Sequence, residues 1–160
     1  MSDDYTTTVQ LAAGPAEVYR ALTTLDGLAG WWTTASDDGA ATGELTFTFG
    51  KPEPLRMRVD VAHPDLAQWT CLGYRPVPDW TDTVLRFELA ESADGGCRLV
   101  FRQLGLTPQL ECYDLCSNSW NHFIATSLRN YLERGVGDPR GSAADRAWRE
   151  KRAAVAALTS

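Results

Sequence analysis

Residues 83–103 read "TVLRFELAESADGGCRLVFRQ", and the fold follows from how this stretch is read. Leu85, Phe87 and Leu89 alternate with Arg86 and Glu88. After "SADGG" at 92–96, Leu99, Phe101 and Gln103 alternate with Arg98, Val100 and Arg102. A period of two with large apolar residues on one side describes a strand with one buried and one wet face. A glycine-rich turn joining two such runs makes a hairpin. Gln103 falls on the apolar side. A buried amide with no partner costs roughly 1–3 kcal/mol, so this one requires a protein group, a water or a ligand.

Working outward, "GELTFTFG" (43–50) sets Leu45, Phe47 and Phe49 against Glu44, Thr46 and Thr48. "LRMRVDV" (55–61) sets Leu55, Met57, Val59 and Val61 against Arg56, Arg58 and Asp60. "HPDL" (63–66) is a turn into a further strand, "AQWTCLGY" (67–74), whose inward face composition leaves open. "RPVPDW" (75–80) is a loop, since two prolines would interrupt a ladder. "DYTTTVQLAA" (4–13) is a short β-branched strand. In "GPAEVYRALTTLDGLAGWW" (14–32), Pro15 stands where a first-turn proline belongs, and Val18, Leu22 and Leu25 recur at helical spacing. Gly27 and Gly30 are expected to break that helix, leaving at most a second short one at Leu28–Trp32. Residues 33–43 read as loop.

Downstream, no helix breaker occurs between Pro108 and Gly135. Leu110, Tyr113, Ser117, Trp120, Ile124, Leu128 and Tyr131 step by three or four along one stripe. This predicts a long amphipathic helix closed by Gly135 and Pro139. "SAADRAWREKRAAVAAL" (142–158) is a weaker helical segment in which Trp148, Val155 and Leu158 share a face with Ala144. Trp148 is too large to leave idle, so the segment is expected to dock on its own domain or on a second copy. The order is strand, two helices, about five strands, then a long helix. Laying that helix over one face of a curved antiparallel sheet buries all the stripes together, an α+β architecture. A cavity is expected between sheet and helix. Adjacent Trp31 and Trp32 cannot point the same way on a regular element, so one is expected in the core and the other at the cavity or its mouth.

The chain's 160 residues suit one domain, which can bury roughly 70% of its unfolded surface without a disulfide or metal. A formal net charge of −6 with no long basic run argues against nucleic acid and anionic membrane surfaces. No apolar run reaches the ~20 residues of a membrane span. "MSDDYTTTVQL" has no apolar signal core, and Cys71, Cys97, Cys112 and Cys116 read as reduced thiols, so a cytoplasmic location is expected. Arginine outnumbers lysine, which occurs only at Lys51 and Lys151, in an alanine-rich chain typical of a GC-rich bacterial genome.

Cys112 and Cys116 lie one helical turn apart, half of a metal site, but the only histidines are His63 and His122. His122 is two residues beyond Trp120, rotated roughly 200° from it and expected to face solvent. No metal and no cofactor is expected. There is no nucleophile elbow, phosphate loop or dinucleotide fingerprint, so an enzyme is the weaker expectation.

"PDWTDTVLRFELAESADGGCRLVFRQLGLTP" (78–108) and "YDLCSNSWNHFIATSLRNYLERGVGDP" (113–139) resemble the SRPBCC superfamily of START, polyketide cyclase and Bet v 1-like proteins. They are most similar to its activator of Hsp90 ATPase homologue branch, in the single-domain bacterial form. The matching pieces are Trp80, Thr83, Phe87, Gly95–Gly96, Gly105–Leu106, Tyr113, Trp120, Ser127–Leu128, Tyr131–Leu132–Glu133 and Gly135. "AGPAEVYRALTT" (13–24) and the "GWW" of residues 30–32 resemble the family's opening. Gln103, where many relatives carry histidine, and Ser119 before Trp120 depart from the pattern.

The resemblance implies a helix-grip fold over residues 1–139; residues 140–160 are expected as a C-terminal helical extension that the family pattern does not require. The inward rings on the facing elements set the expected cavity for a small hydrophobic or aromatic ligand, lined by Trp31, Trp32, Phe47, Phe49, Met57, Phe87, Phe101, Gln103, Trp120 and Ile124. The alternatives are a co-chaperone-like module with a chaperone or other protein partner, and a cyclase-type enzyme. Either a monomer or a homodimer is compatible with the resemblance. An adaptor would expose an apolar or charged patch on the sheet's outer face, where Arg56, Arg58, Arg86, Arg98 and Arg102 form a basic stripe.

Overall fold

The computed structural model describes residues 3–37, 43–50 and 52–159. Seven antiparallel strands form one curved sheet: β1 (Tyr5–Leu11), β2 (Thr34–Asp37), β3 (Glu44–Thr48), β4 (Leu55–His63), β5 (Leu66–Gly73), β6 (Val84–Glu91) and β7 (Cys97–Leu104). Their spatial order is β1-β7-β6-β5-β4-β3-β2. Helices α1 (Pro15–Thr23) and α2 (Leu25–Trp31) follow β1. A long helix over residues 113–134 lies in the sheet's grip. It is built of α3 (Tyr113–Trp120), a π-helical stretch (Asn121–Leu128) and α4 (Arg129–Arg134). Helix α5 (Ala143–Thr159) ends the chain. This is the helix-grip fold.

The hairpin of residues 83–103 pairs as its alternation requires, with Phe87 opposite Phe101 and Leu85 opposite Gln103. The inward face of β5, open in the sequence, consists of Ala67, Trp69 and Cys71. Across the sheet and onto the helix, six rings form a closed circuit. Phe47 meets Trp69 at 5.9 Å between centroids, Trp69 meets Phe87 at 5.1 Å, and Phe87 meets Phe101 at 4.9 Å. Phe101 then meets Trp120 at 4.5 Å, Trp120 meets Trp32 at 5.0 Å, and Trp32 returns to Phe47 at 4.5 Å. Tilted pairs at these separations each contribute about 0.5–1.5 kcal/mol beyond simple burial. The space between sheet and helix is thus largely filled by rings.

Four local expectations are corrected. Residues 34–37, expected as loop, form edge strand β2, with Thr34 opposite Thr48 and Asp37 opposite Leu45. An edge strand needs only its backbone ladder, so no apolar alternation announces it; residues 38–42 of that expected loop lie outside the described residues. The break between α1 and α2 falls at Thr24, whose hydroxyl accepts the Gly27 N–H at 3.0 Å as an N-cap. Gly27 and Gly30 do not break α2; they allow close approach. A Cβ on Gly27 would stand 2.6 Å from the Ala21 carbonyl oxygen, and one on Gly30 would stand 2.3 Å from the Tyr131 ring. The long helix begins at Tyr113 and not at Pro108, because 107–113 turns tightly, with Leu110 N–H on Thr107 O and Tyr113 N–H on Leu110 O. Finally, His122 is buried. The helix is more widely wound there, and α5 covers the flank that periodicity assigned to water.

The C-terminal segment is pinned at several points. Arg140 N–H donates to Trp32 O at 2.7 Å, and Asp138 N–H to Ser127 Oγ at 2.7 Å. Ser142 caps α5, its hydroxyl accepting the Asp145 N–H at 3.2 Å. Trp148 then lies flat on His122, with centroids 4.2 Å apart and planes 9° from parallel. The side chains of Val155 and Leu158, expected on the same face, lie outside the described residues.

Candidate functional site

At one end of the ring-filled core a cleft of about 270 Å³ remains. Trp32, Phe49, Tyr74, Trp80, Trp120 and Phe123 supply six rings to its wall, with Pro76, Val77, Leu115, Cys116 and Ser119 between them. The β5–β6 connection contributes Tyr74 to Trp80, the long helix contributes Leu115 to Phe123, and Trp32 closes the inner end. Leu115 is 55% exposed and marks the rim. Trp80 stacks on Trp120 at 5.9 Å and 15°. Its indole N–H donates to Cys116 Sγ at 3.2 Å. Burial pushes the Cys116 thiol up to about 12 and Cys71 up to about 11, so neither supplies a thiolate at neutral pH.

Of the ten residues named from the sequence, the structure brings Trp32, Phe49 and Trp120 to this cleft. Phe47, Met57, Phe87, Phe101 and Ile124 are fully buried in the core behind it. Trp31 packs against α1, where its indole N–H donates to Ala21 O at 2.9 Å. The Trp31 and Trp32 rings are not opposed; they stack at 5.8 Å and 20°. Trp32 stands past the helix end with φ −117 and ψ −81, so helical geometry does not govern its direction.

Gln103 is held on both sides of its amide. Its Oε1 accepts the Trp120 indole N–H at 2.7 Å, and its Nε2 donates to Thr83 Oγ1 at 3.0 Å. Thr83 in turn donates to Trp80 O at 2.6 Å. The amide therefore fixes the two tryptophans that line the cleft and does not itself enter it.

Sequence reasoning missed Tyr74, Trp80 and Phe123. Pro76 and Pro78, which precede Trp80, mark a loop, and nothing in a loop's composition tells which way its ring turns. It also missed Arg140 and Arg149, which close the cleft from the C-terminal segment. Both also line an adjoining polar groove with Thr33, Thr34, Thr48, Asp145 and Arg146.

Asp145 is 1% exposed. Its Oδ2 accepts from Arg149 Nε at 3.0 Å and Gly141 N at 2.9 Å, while Oδ1 lies 3.4 Å from His122 Nε2. Burial holds His122 below the ordinary imidazole range, against the pull of Asp145 and Asp138. Burial and the neighbouring Arg149 lower Arg140 as well. Among the described residues no group of three or more His, Cys, Asp or Glu side chains could hold a metal ion.

The outer face of the sheet is laced with ion pairs: Arg56–Glu44 at 3.0 Å, Arg58–Asp60 at 2.9 Å, and Arg86–Glu88 at 2.7 Å with Arg102 3.9 Å from the same carboxylate. The expected basic stripe is largely neutralised where it stands. No helix among the described residues is long and apolar enough to cross a membrane.

A helix-grip domain with an aromatic cleft at the helix–sheet mouth defines the class. Residues 12–133 match the family model described as activator of Hsp90 ATPase homolog 1-like protein, and the chain belongs to that family. Among solved structures it is similar to the Aha1 dimer from Colwellia psychrerythraea, at 26% identity over 84% of this chain and 98% of that one, TM-score 0.69. A protein from Mesorhizobium loti shares the fold at 21% identity over 82% and 97%, TM-score 0.70. A protein of the dynemicin biosynthetic locus shares it at 22% identity over 86% of this chain and 49% of that one, TM-score 0.67. No curated protein is significantly similar.

Proposed function

We propose that this protein binds a small, flat apolar molecule, an aromatic compound by preference, in the cleft between the long helix and the β5–β6 connection. The observation that carries this reading is the convergence of six rings on an open space of about 270 Å³. Ligand sites are concave and mostly apolar with few polar groups, and ring walls favour a flat partner through offset stacking. Among the described residues the wall carries no nucleophile beside a base: Cys116 is the thiol there, and burial keeps it protonated. Binding therefore ranks ahead of a cyclase-type reaction.

The family name supports a second reading, a co-chaperone-like interaction module. It ranks lower because the charges of the outer sheet face are mostly paired within the chain. The test is fluorescence titration with N-phenyl-1-naphthylamine, a neutral apolar probe. Saturable enhancement is expected, and it should vanish in Ser119→Trp, which fills the cleft, while the melting temperature holds. Binding unchanged in Ser119→Trp would place the probe elsewhere and overturn the reading.

A further inference from the structure

We infer that the ligand of this cleft is an acid: an aromatic or apolar body carrying a carboxylate or similar anionic group, received by Arg140 with Arg149 beside it. The inference rests on the cleft being a ligand site and adds the chemical class.

Its ground is a local charge imbalance. The chain is acidic overall, at −6, yet the far wall of the aromatic cleft carries two guanidinium groups, Arg140 and Arg149. The adjoining polar groove adds Arg146 and has Asp145 as its carboxylate. That carboxylate is committed, because one oxygen accepts from Arg149 and Gly141 and the other faces His122. No direct ion pair holds Arg140 among the described residues; burial and Arg149 weigh against its charge, and Asp145 and Tyr74 offset them only from a distance. The Arg140 backbone N–H is fixed on Trp32 O at 2.7 Å, so the residue is anchored where the cleft ends.

A half-buried guanidinium crowded by a second one is stabilised by any anion that enters. The planar fork of arginine matches a carboxylate, and arginine is less strongly hydrated than lysine, which suits it to a partly desolvated site. With Tyr74, Trp80 and Trp120 around the apolar body and Arg140 at its end, the cleft is built for an amphiphile with its acid group turned toward the groove. A neutral hydrocarbon would leave Arg140 uncompensated and further desolvated. A cation would meet two like charges.

Calorimetric titration with 2-naphthoate and its neutral counterpart 2-naphthamide separates binding in the cleft from preference for an acid. The expected result is that naphthoate binds about tenfold tighter or better at low salt, as one charge-assisted bond provides. The gap should narrow as salt rises. Arg140→Gln should erase it by dropping naphthoate affinity toward that of naphthamide, and Arg140→Lys should restore part of it. Equal binding of the two probes overturns the acid inference and leaves the cleft reading standing. A preference that survives in Arg140→Gln also overturns the inference. Failure of both probes to bind overturns the inference and the cleft reading together.

Discussion

At the scale of single residues, the polar groups inside this protein set the positions of its rings. Gln103→Leu removes the acceptor of the buried Trp120 indole N–H and the donor to Thr83. It is expected to destabilise the ligand-free protein by about 1–3 kcal/mol, measured by urea unfolding. A neutral result would mean that Trp120 finds another acceptor. His122 gives a pH dependence of defined sign. Its folded pKa lies below the ordinary value of 6.5, burial being the main cause, with Asp145 and Asp138 pulling upward and Arg149 adding to the depression. The unfolded chain therefore binds the proton more readily. The stability that His122 contributes is full above about pH 6.5 and is lost as pH falls through the folded value. The melting temperature and the near-ultraviolet signal of Trp148 should both decline between pH 7 and pH 5, and His122→Gln should flatten that decline.

At the scale of elements, close approach overrides propensity. Gly27→Ala in an exposed helix would add about 1 kcal/mol of stability. Here the new methyl would stand 2.6 Å from the Ala21 carbonyl oxygen and 2.7 Å from its Cα. Because those are backbone atoms, the same substitution is expected to destabilise by about 1–3 kcal/mol, with α1 and α2 forced apart; a raised melting temperature would refute this. The C-terminal segment is a second case. A lone helix of its length is marginal in water, and the capping serine, the Asp145 cluster and the Trp148–His122 stack hold it. Deleting residues 141–160 is expected to lower the melting temperature and to expose His122. An unchanged melting curve with an unchanged mass by light scattering would show that the segment contributes nothing.

At the scale of the whole molecule, the aromatic circuit makes one cooperative core. Cys71, Cys97 and Cys116 are buried, while Cys112 is half-buried at the start of the long helix. Burial raises the first three thiols, Cys116 to about 12. Native protein is expected to label quickly at Cys112 alone with a disulfide reagent. The other three should react only as fast as the core opens, and all four at once in denaturant. Fast native labelling of Cys71 would show that β4 and β5 open independently of the core.

The strands from Leu45 to Gln103, their inward rings outside β5, the presence of two short helices, the long helix and the family were legible in the amino-acid sequence. Periods of 2 and 3.6 report which side of an element is apolar, and that side must be buried. They do not report what covers it. The threonine-led β2 became a strand through backbone pairing alone, and Gly27 and Gly30 proved to be sites of contact. His122 went under cover because a helix beginning more than 20 residues later lies over it. The same limit applies to the site: residues 32, 74, 80, 120, 140 and 149 share a cleft only because the sheet curves and the chain end folds back. Which rings fill the core and which are left lining a space depends on how those surfaces meet, and that is a property of the tertiary packing.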